Sequence, residues 1–446
     1  MAFYSGEHNS PLTTLIMNRL STLFSFFTLF IASFTYADVA TEQKIVAQID
    51  KNMSRSLKEL EQVVNINSGT LNLEGVEQVG RIFLKQFDEL GFETQWVEGS
   101  EFDRAGHVVA RYGNKGPKIL MIGHLDTVFT KDDTFQRFKP LGNNKVAGPG
   151  ITDMKGGDVI IVSVLRALKT LGLLENMSVT VVMTGDEESS GKPLSASKKA
   201  LIDAAKWADI ALGFEDGDSS IKTAVIARRG SVNWTLDVKG KPAHSSQIFS
   251  DEIGYGAIFE TARILNEFRE QLAGYGNLTF NPGVLLAGTE VTYDAQNTKG
   301  DAFGKRNVVA QTATVTGGIR AQTPEELAHA KKIMHKIVKE NLAHTSAKLV
   351  IGDGYPPMAP TDGNYKLLSM YSDISESLGY GKVDAVNPRN AGAADISFTA
   401  GYVDMAMDGL GLMGSGGHTK DEIADMTSFA KNMHKAAILM YRLSQQ

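Results

Sequence analysis

"MSVTVVMTGDEESSG", Met177–Gly191, changes character within a few residues. Its first half is mostly apolar and β-branched and reads as a strand. Three acids then follow together, Asp186, Glu187 and Glu188. Carboxylates packed this closely repel one another, and folding gains nothing from the repulsion. A positive charge must face them. The flanking chain has the same texture. "KILMIGHLDTV" (118–128) and "DIALGFEDG" (209–217) are apolar runs that end in polar residues. "GGDVIIVSVLRALKTLG" (156–172) spaces its apolar residues as a helix closing on Gly172, and "SASKKALIDAAKWA" (195–208) predicts another helix. Upstream, "FETQWVEG" and "HVVARYG" read as strands, and Thr41–Leu90 carries helical spacing. Strands alternating with helices predict an α/β fold with a mainly parallel central sheet.

After Lys222 the pattern changes. "TAVIARRGSVNWTLDVKGKPAH" (223–244) alternates with period two, as antiparallel strands with one exposed face do. An amphipathic helix over 253–272, two more strand runs, a helix over 324–341 and the strand "AKLVIG" follow. "DAQNTKGDAFG" (294–304) reads as a polar loop and lacks calcium-loop spacing. The helix–strand–helix style returns from Tyr365. The expected organisation is an α/β part over 38–227, an inserted α+β sandwich over 228–354, and a second α/β part over 355–446. A chain of 446 residues accommodates that division.

The hydrophobic fraction of 42% and charged fraction of 22% are those of an ordinary globular chain. The net charge of -6, without a block of Lys and Arg, gives no footprint for nucleic acid. Cysteine is absent, so a metal would rest on His, Asp and Glu. "MNRLSTLFSFFTLFIASFTYADVA" starts at Met17, with Arg19 in a positive segment, an apolar run over 23–34 and a small residue at Ala37. It predicts a signal peptide over 1–37 with Met17 as the start, cleavage before Asp38, and a periplasmic or secreted protein with no membrane attachment afterwards.

In open α/β sheets, sites lie beyond the carboxyl ends of the strands. His124 and Asp126 stand there in "GHLDTV", with spacing that puts both side chains on one side of an extended segment. A carboxylate so placed can accept the second imidazole N–H of a metal-bound histidine. Asp153 sits between glycines in "GPGITDMKGG", Glu187 and Glu188 in "GDEESSG", Glu215 in "GFEDG", and His418 in "GSGGH". Singly, each reads as a cap, a turn former or a solvated side chain. Five segments that each present a metal-type ligand read differently. Two Zn²⁺ ions carry four positive charges; Asp153, Glu188 and Glu215 supply three negative ones and a bridging hydroxide the fourth. His124 and His418 complete the set without adding charge. Glu187 is left free of ligand duty beside the metals, where a hydrolase needs a general base.

In order and spacing, these motifs resemble the M20 family of metallopeptidases, and within it the glutamate carboxypeptidase group. The resemblance spans nearly all of the chain after residue 37. It implies that His124, Asp153 and Glu215 hold one zinc and that Asp153, Glu188 and His418 hold the other. Co²⁺ or Mn²⁺ could take the same ligands. It further implies that Asp126 supports His124, that Glu187 is the base, and that the insert is a lid that forms a homodimer. His244 in "KGKPAHSS" then matches a lid histidine that stabilises the oxyanion. Asn307 and Arg320 in "RNVVAQTATVTGGIRA" match positions that grip the substrate, and the Arg fork suits a terminal carboxylate. "NAGAAD" (390–395) resembles the glycine-rich loop near the substrate pocket.

The chain also departs from that group. "IGDGYPPM" (351–358) lacks the hinge arginine, and alanines replace glycines in the 390–395 loop, so a preference for C-terminal glutamate is not implied. The expected substrate is a peptidyl or N-acyl amino acid, cleaved by a carboxypeptidase or by a deacylase. A non-catalytic binding protein on the same scaffold is the alternative from another class; a complete ligand set with Glu187 argues against it. "GLGLMG" (409–414) does not open a helix in a βαβ unit, so it is no dinucleotide fingerprint.

Overall fold

In the run from Ser178 to Thr184, side chains alternate between two cores. Val179, Val181 and Met183 enter one, Val182 the other, and all four are fully buried. Such a strand belongs in the middle of a sheet covered on both faces. The computed structural model describes residues 39–295 and 298–446 together with Met1. The expected signal peptide therefore lies outside the described residues.

A helix over 39–64 (α1) is followed by α2 (Leu73–Glu89), β1 (Glu93–Glu98), β2 (Gly106–Tyr112) and β3 (Lys118–His124). Then come α3 (Gly156–Thr170), β4 (Ser178–Thr184), α4 (Lys199–Trp207) and β5 (Ile210–Gly213). After the insert the chain forms α5 (Asp362–Ser377), β6 (Met405–Met407) and α6 (Met426–Leu443). The central sheet runs β1-β2-β4-β3-β5-β6. β4, β3, β5 and β6 are parallel neighbours, while β2 pairs antiparallel with β1 and β4. Val159, Ile160 and Leu165 of α3, Phe83 and Phe87 of α2 and Phe429 to Tyr441 of α6 pack on one face; Leu201, Ala204 and Ala205 of α4 pack on the other. α3 ends as expected at Gly172, whose φ of 69° suits a residue without Cβ.

The insert is a four-stranded antiparallel sheet. β7 (Gly230–Gly240) lies between β9 (Thr312–Ala321) and β10 (Thr345–Ile351), and β8 (Thr279–Gly288) flanks β9. Two helices, α7 (Gly256–Leu272) and α8 (Pro324–Lys339), cover one face. Phe268, Leu272, Met334 and Ile337 pack there against Trp234, Leu236 and Val315.

Two local expectations change. Residues 294–304 are not all loop: Lys299–Phe303 pairs antiparallel with Glu290–Asp294. Every residue of 299–303 is exposed, so no apolar alternation marks the strand. The helix expected over 195–208 breaks at Lys198, whose φ/ψ of -92°/7° is not helical. Lys198 turns inward to two buried aspartates instead. Among the described residues, no helix is long and apolar enough to cross a membrane.

Candidate metal centre

β3 carries His124 to the carboxyl edge of the sheet, where it is 1% exposed. Its Nδ1 lies 2.9 Å from the main-chain oxygen of Asp126. A carbonyl only accepts, so Nδ1 donates, and Nε2 is left to face Asp153 Oδ1 at 3.1 Å and Glu215 Oε1 at 3.6 Å. Asp153, in the turn before α3, presents Oδ2 to His418 Nε2 at 2.8 Å. His418 Nε2 also lies 3.3 Å from Glu188 Oε2. The result is two trios, His124–Asp153–Glu215 and Asp153–Glu188–His418, sharing one aspartate. Within each trio the donor atoms all lie within 4.8 Å of one another. The five ligand candidates are brought together from five separate segments.

Asp126 makes contacts beyond the expected one to His124. Its Oδ1 stands 3.5 Å from His124 Nδ1, farther than its own carbonyl. Its carboxylate also accepts from the N–H groups of Glu187 (3.0 Å) and Glu188 (3.2 Å) and from the Thr70 hydroxyl (2.6 Å). It fixes the acidic loop, and its main chain fixes the imidazole.

The supports of the site pair residues that lie apart in the sequence. Asp186 faces no metal candidate: it pairs with the buried Lys198 at 2.9 Å and accepts from Ser197 Oγ and Gly191 N–H. Burial pushes the Asp186 carboxyl up, but Lys198 outweighs that and holds it at about 2. Lys198 also pairs with Asp395 at 3.0 Å. Glu422 accepts from the N–H groups of Gly150, Thr152 and Asp153, shaping the turn that presents Asp153. Asp408 accepts from Glu215 N–H at 3.2 Å and is held by Arg228 at 2.9 Å. "HTKDE" (418–422) was the only local signal, an acid four residues after His418.

The electrostatics favour a cation. Burial pushes the Glu187 carboxyl up to about 8 and the Glu188 carboxyl up to about 9, and Asp153 adds to both. Burial also drives Glu215 well above its ordinary value. At Asp153 burial acts upward too, but His124 and His418 win and hold it low. Glu188 Oε1 is buried with no hydrogen-bond partner. Imidazoles and carboxylates around an unpartnered buried oxygen fit a divalent ion, whose charge would reverse these shifts. For the metal-free protein the consequence has a definite sign. Glu187 and Glu188 hold extra protons in the folded state between the ordinary 4.5 and about 8 to 9. Their stabilisation is therefore full below about pH 4.5 and lost as pH rises toward about 9. Chelator-treated protein should melt at progressively lower temperature from about pH 5 to about pH 9, and zinc-loaded protein should show a flatter profile. A rising profile for the chelated protein would contradict this assignment.

The remaining expected residues lie on the insert. His244 caps the single turn Ser245–Gln247, with Nδ1 2.8 Å from Ser246 Oγ. Ser245 N–H donates to the Asn307 carbonyl at 2.9 Å, so His244 and Asn307 are neighbours. Arg320 is exposed on β9, opposite Thr279 and Ser231. Arg229 reaches the same place, with Nη1 3.0 Å from Thr279 Oγ1. Among the described residues, none of His244, Asn307 and Arg320 hydrogen-bonds or ion-pairs with the two trios.

Residues 120–446 match the family model described as Peptidase family M20/M25/M40. The chain belongs to this family. As an M20 member it is a hydrolase of the metallopeptidase and amidohydrolase type. It is 25% identical over 394 residues to carboxypeptidase G2 of Pseudomonas sp. (strain RS-16), covering 87% of this chain and 89% of that one. It is 29% identical over 274 residues to succinyl-diaminopimelate desuccinylase of Rickettsia bellii, covering 57% of this chain and 64% of that one. Among solved structures, aminopeptidase PepT from Bacillus cereus shares the M20 fold with a TM-score of 0.67 at 18% identity, over 88% of this chain and 99% of that one.

Proposed function

We propose that the protein is a di-zinc amidohydrolase that releases the C-terminal amino acid from small peptidyl or N-acyl amino acids. The observation that carries this is the pair of trios sharing Asp153, with Glu187 beside them and outside both. His124, Asp153 and Glu215 would hold one ion and Asp153, Glu188 and His418 the other; when bound, such ions polarise a carbonyl and acidify water. Co²⁺ or Mn²⁺ would suit the same donors.

Glu187 takes a proton from the attacking water and returns it to the leaving amine. Asp126 holds its peptide N–H while this happens. His244, on the lid, donates to the developing oxyanion. Arg320 and Asn307 grip the C-terminal carboxylate. Arg320 has no carboxylate partner of its own among the described residues, and Arg229 beside it adds positive charge. A cavity of about 450 Å³ bordered by Glu188, Thr70, Leu71, Val128 and Lys131 offers room for the acyl part.

The insert acts as a lid and joins two copies into a homodimer. Support comes from an exposed ring cluster on it, Phe249 with Tyr255 at 5.7 Å and Phe259 at 5.2 Å. Secretion to the periplasm or beyond rests on the segment over 17–37. The deacylase reading remains as a second one, favoured by the mixed, partly apolar cavity beside Glu188.

The test is hydrolysis of a panel of dipeptides and N-acyl amino acids by protein starting at Asp38, assayed with added Zn²⁺. Chelator-sensitive release of a C-terminal amino acid is the expected result, and the preferred partner on the N-side separates peptidase from deacylase. No turnover across the panel with two zinc ions bound would sink the hydrolytic reading in favour of a binding protein.

A further inference from the structure

The chain enters the lid through β7 and returns from it at Tyr355, and these two crossings lie side by side. Ser231 N–H donates to the Tyr355 carbonyl at 2.9 Å, and Tyr355 N–H to the Ser231 carbonyl at 3.0 Å. Tyr355 is thus part of a two-stranded hinge. Its side chain points the other way, into the catalytic body. The phenol donates to the main-chain oxygen of Glu187 at 2.9 Å and accepts from Ser190 Oγ at 3.2 Å. The ring packs 4.9 Å from the Phe398 ring, and Lys198 Nζ stands 5.5 Å from its centroid. This is the same buried lysine that anchors Asp186 and Asp395.

The Glu187 residue is therefore held at both ends. Asp126 holds its N–H and Tyr355 its carbonyl. Asp126 belongs to the catalytic body, whereas Tyr355 belongs to the hinge. We propose that Tyr355 is a positioning residue that ties the lid hinge to the base Glu187, so that the orientation of the base follows the position of the lid. The inference rests on the reading of Glu187 as base. A rotation that displaces the Ser231–Tyr355 strand pair must carry the phenol with it or break its bond to Glu187. Binding a substrate through the lid would then set the base as well as close the site.

Tyr355→Phe is the informative variant, since it keeps the ring and its packing and removes only the hydroxyl. In zinc-loaded protein starting at Asp38, kcat should fall about tenfold with KM little changed, the size of one hydrogen bond that acts on the transition state. Zinc content and melting temperature should stay near wild type. Combined with Arg320→Ala, its effect on kcat should be less than multiplicative, because both changes interrupt one link. Hydrogen–deuterium exchange supplies a readout without turnover: amides over 187–191 should exchange roughly fivefold faster in the variant, with β3 and β4 unchanged. Unchanged kcat, a loss that follows zinc content, or full multiplicativity with Arg320→Ala would overturn the inference. If the wild type hydrolyses nothing on the panel, the function reading fails separately, and unchanged exchange over 187–191 would still overturn the role of Tyr355.

Discussion

Glu187→Gln should leave the protein folded and zinc-loaded while kcat drops by ~10³-fold, within the range that one general base contributes. The substitution keeps size and shape and removes the ability to accept a proton. Nothing else should change, because the parts of Glu187 that hold structure are its N–H, bonded to Asp126, and its carbonyl, bonded to Tyr355. Its carboxylate belongs to neither trio. Metal analysis of the purified variant and steady-state rates on the best panel substrate check both halves. Activity within a few fold of wild type would transfer the base role to another residue.

Asp153→Asn should have the opposite profile, with metal lost first and activity lost because of it. Asp153 is the one side chain common to both trios, and each of its oxygens faces a different histidine, His124 at 3.1 Å and His418 at 2.8 Å. An amide preserves the outline but supplies one oxygen instead of two and no charge. The expected result after dialysis is fewer than two zinc ions per chain and turnover at the level of the chelated wild type. Elemental analysis decides it. Retention of both ions would mean that Asp153 is not shared between them. The two variants together separate holding metal from moving protons, which no single substitution can do.

The candidate ligand set is legible in the sequence because a strand end is a local feature. An apolar run marks the strand, and the polar residues just beyond it mark the site, as at His124 and Glu215; after β4 the first acid, Asp186, turns to Lys198 and only the third, Glu188, joins a trio. The supports were hidden because they pair residues far apart in the chain. Lys198 looks like one more surface lysine on a helical stretch, and only the fold shows it buried between Asp186 and Asp395. Nothing near Asp408 points to Glu215, and for Glu422 the chain shows only that an acid follows His418 by four residues, not that it shapes the 150–153 turn. The place of Asp126 beside His124 is legible in the sequence, but its bonds to Glu187 and Glu188 are not, since spacing fixes which side a carboxylate faces and not which N–H groups approach it. The strand over 299–303 was missed because a fully exposed ribbon has no burial to imprint on its side chains.

The way the unit over 230–351 is inserted also fixes an order of events at the ribosome. The inserted sheet and its two helices are closed within residues 230–351, with a core of their own around Trp234 and Phe268. That unit can collapse as soon as it emerges. The catalytic body cannot. Its edge strand β6, the candidate ligand His418, the turn-shaping Glu422 and the core-filling α6 all follow the insert. A nascent chain paused after the insert would therefore carry a finished arm on an unfinished enzyme, with the face of α3 that packs on α6 still bare. Such an intermediate invites chaperones, and a chain cut short before α6 would leave the same surface exposed for good.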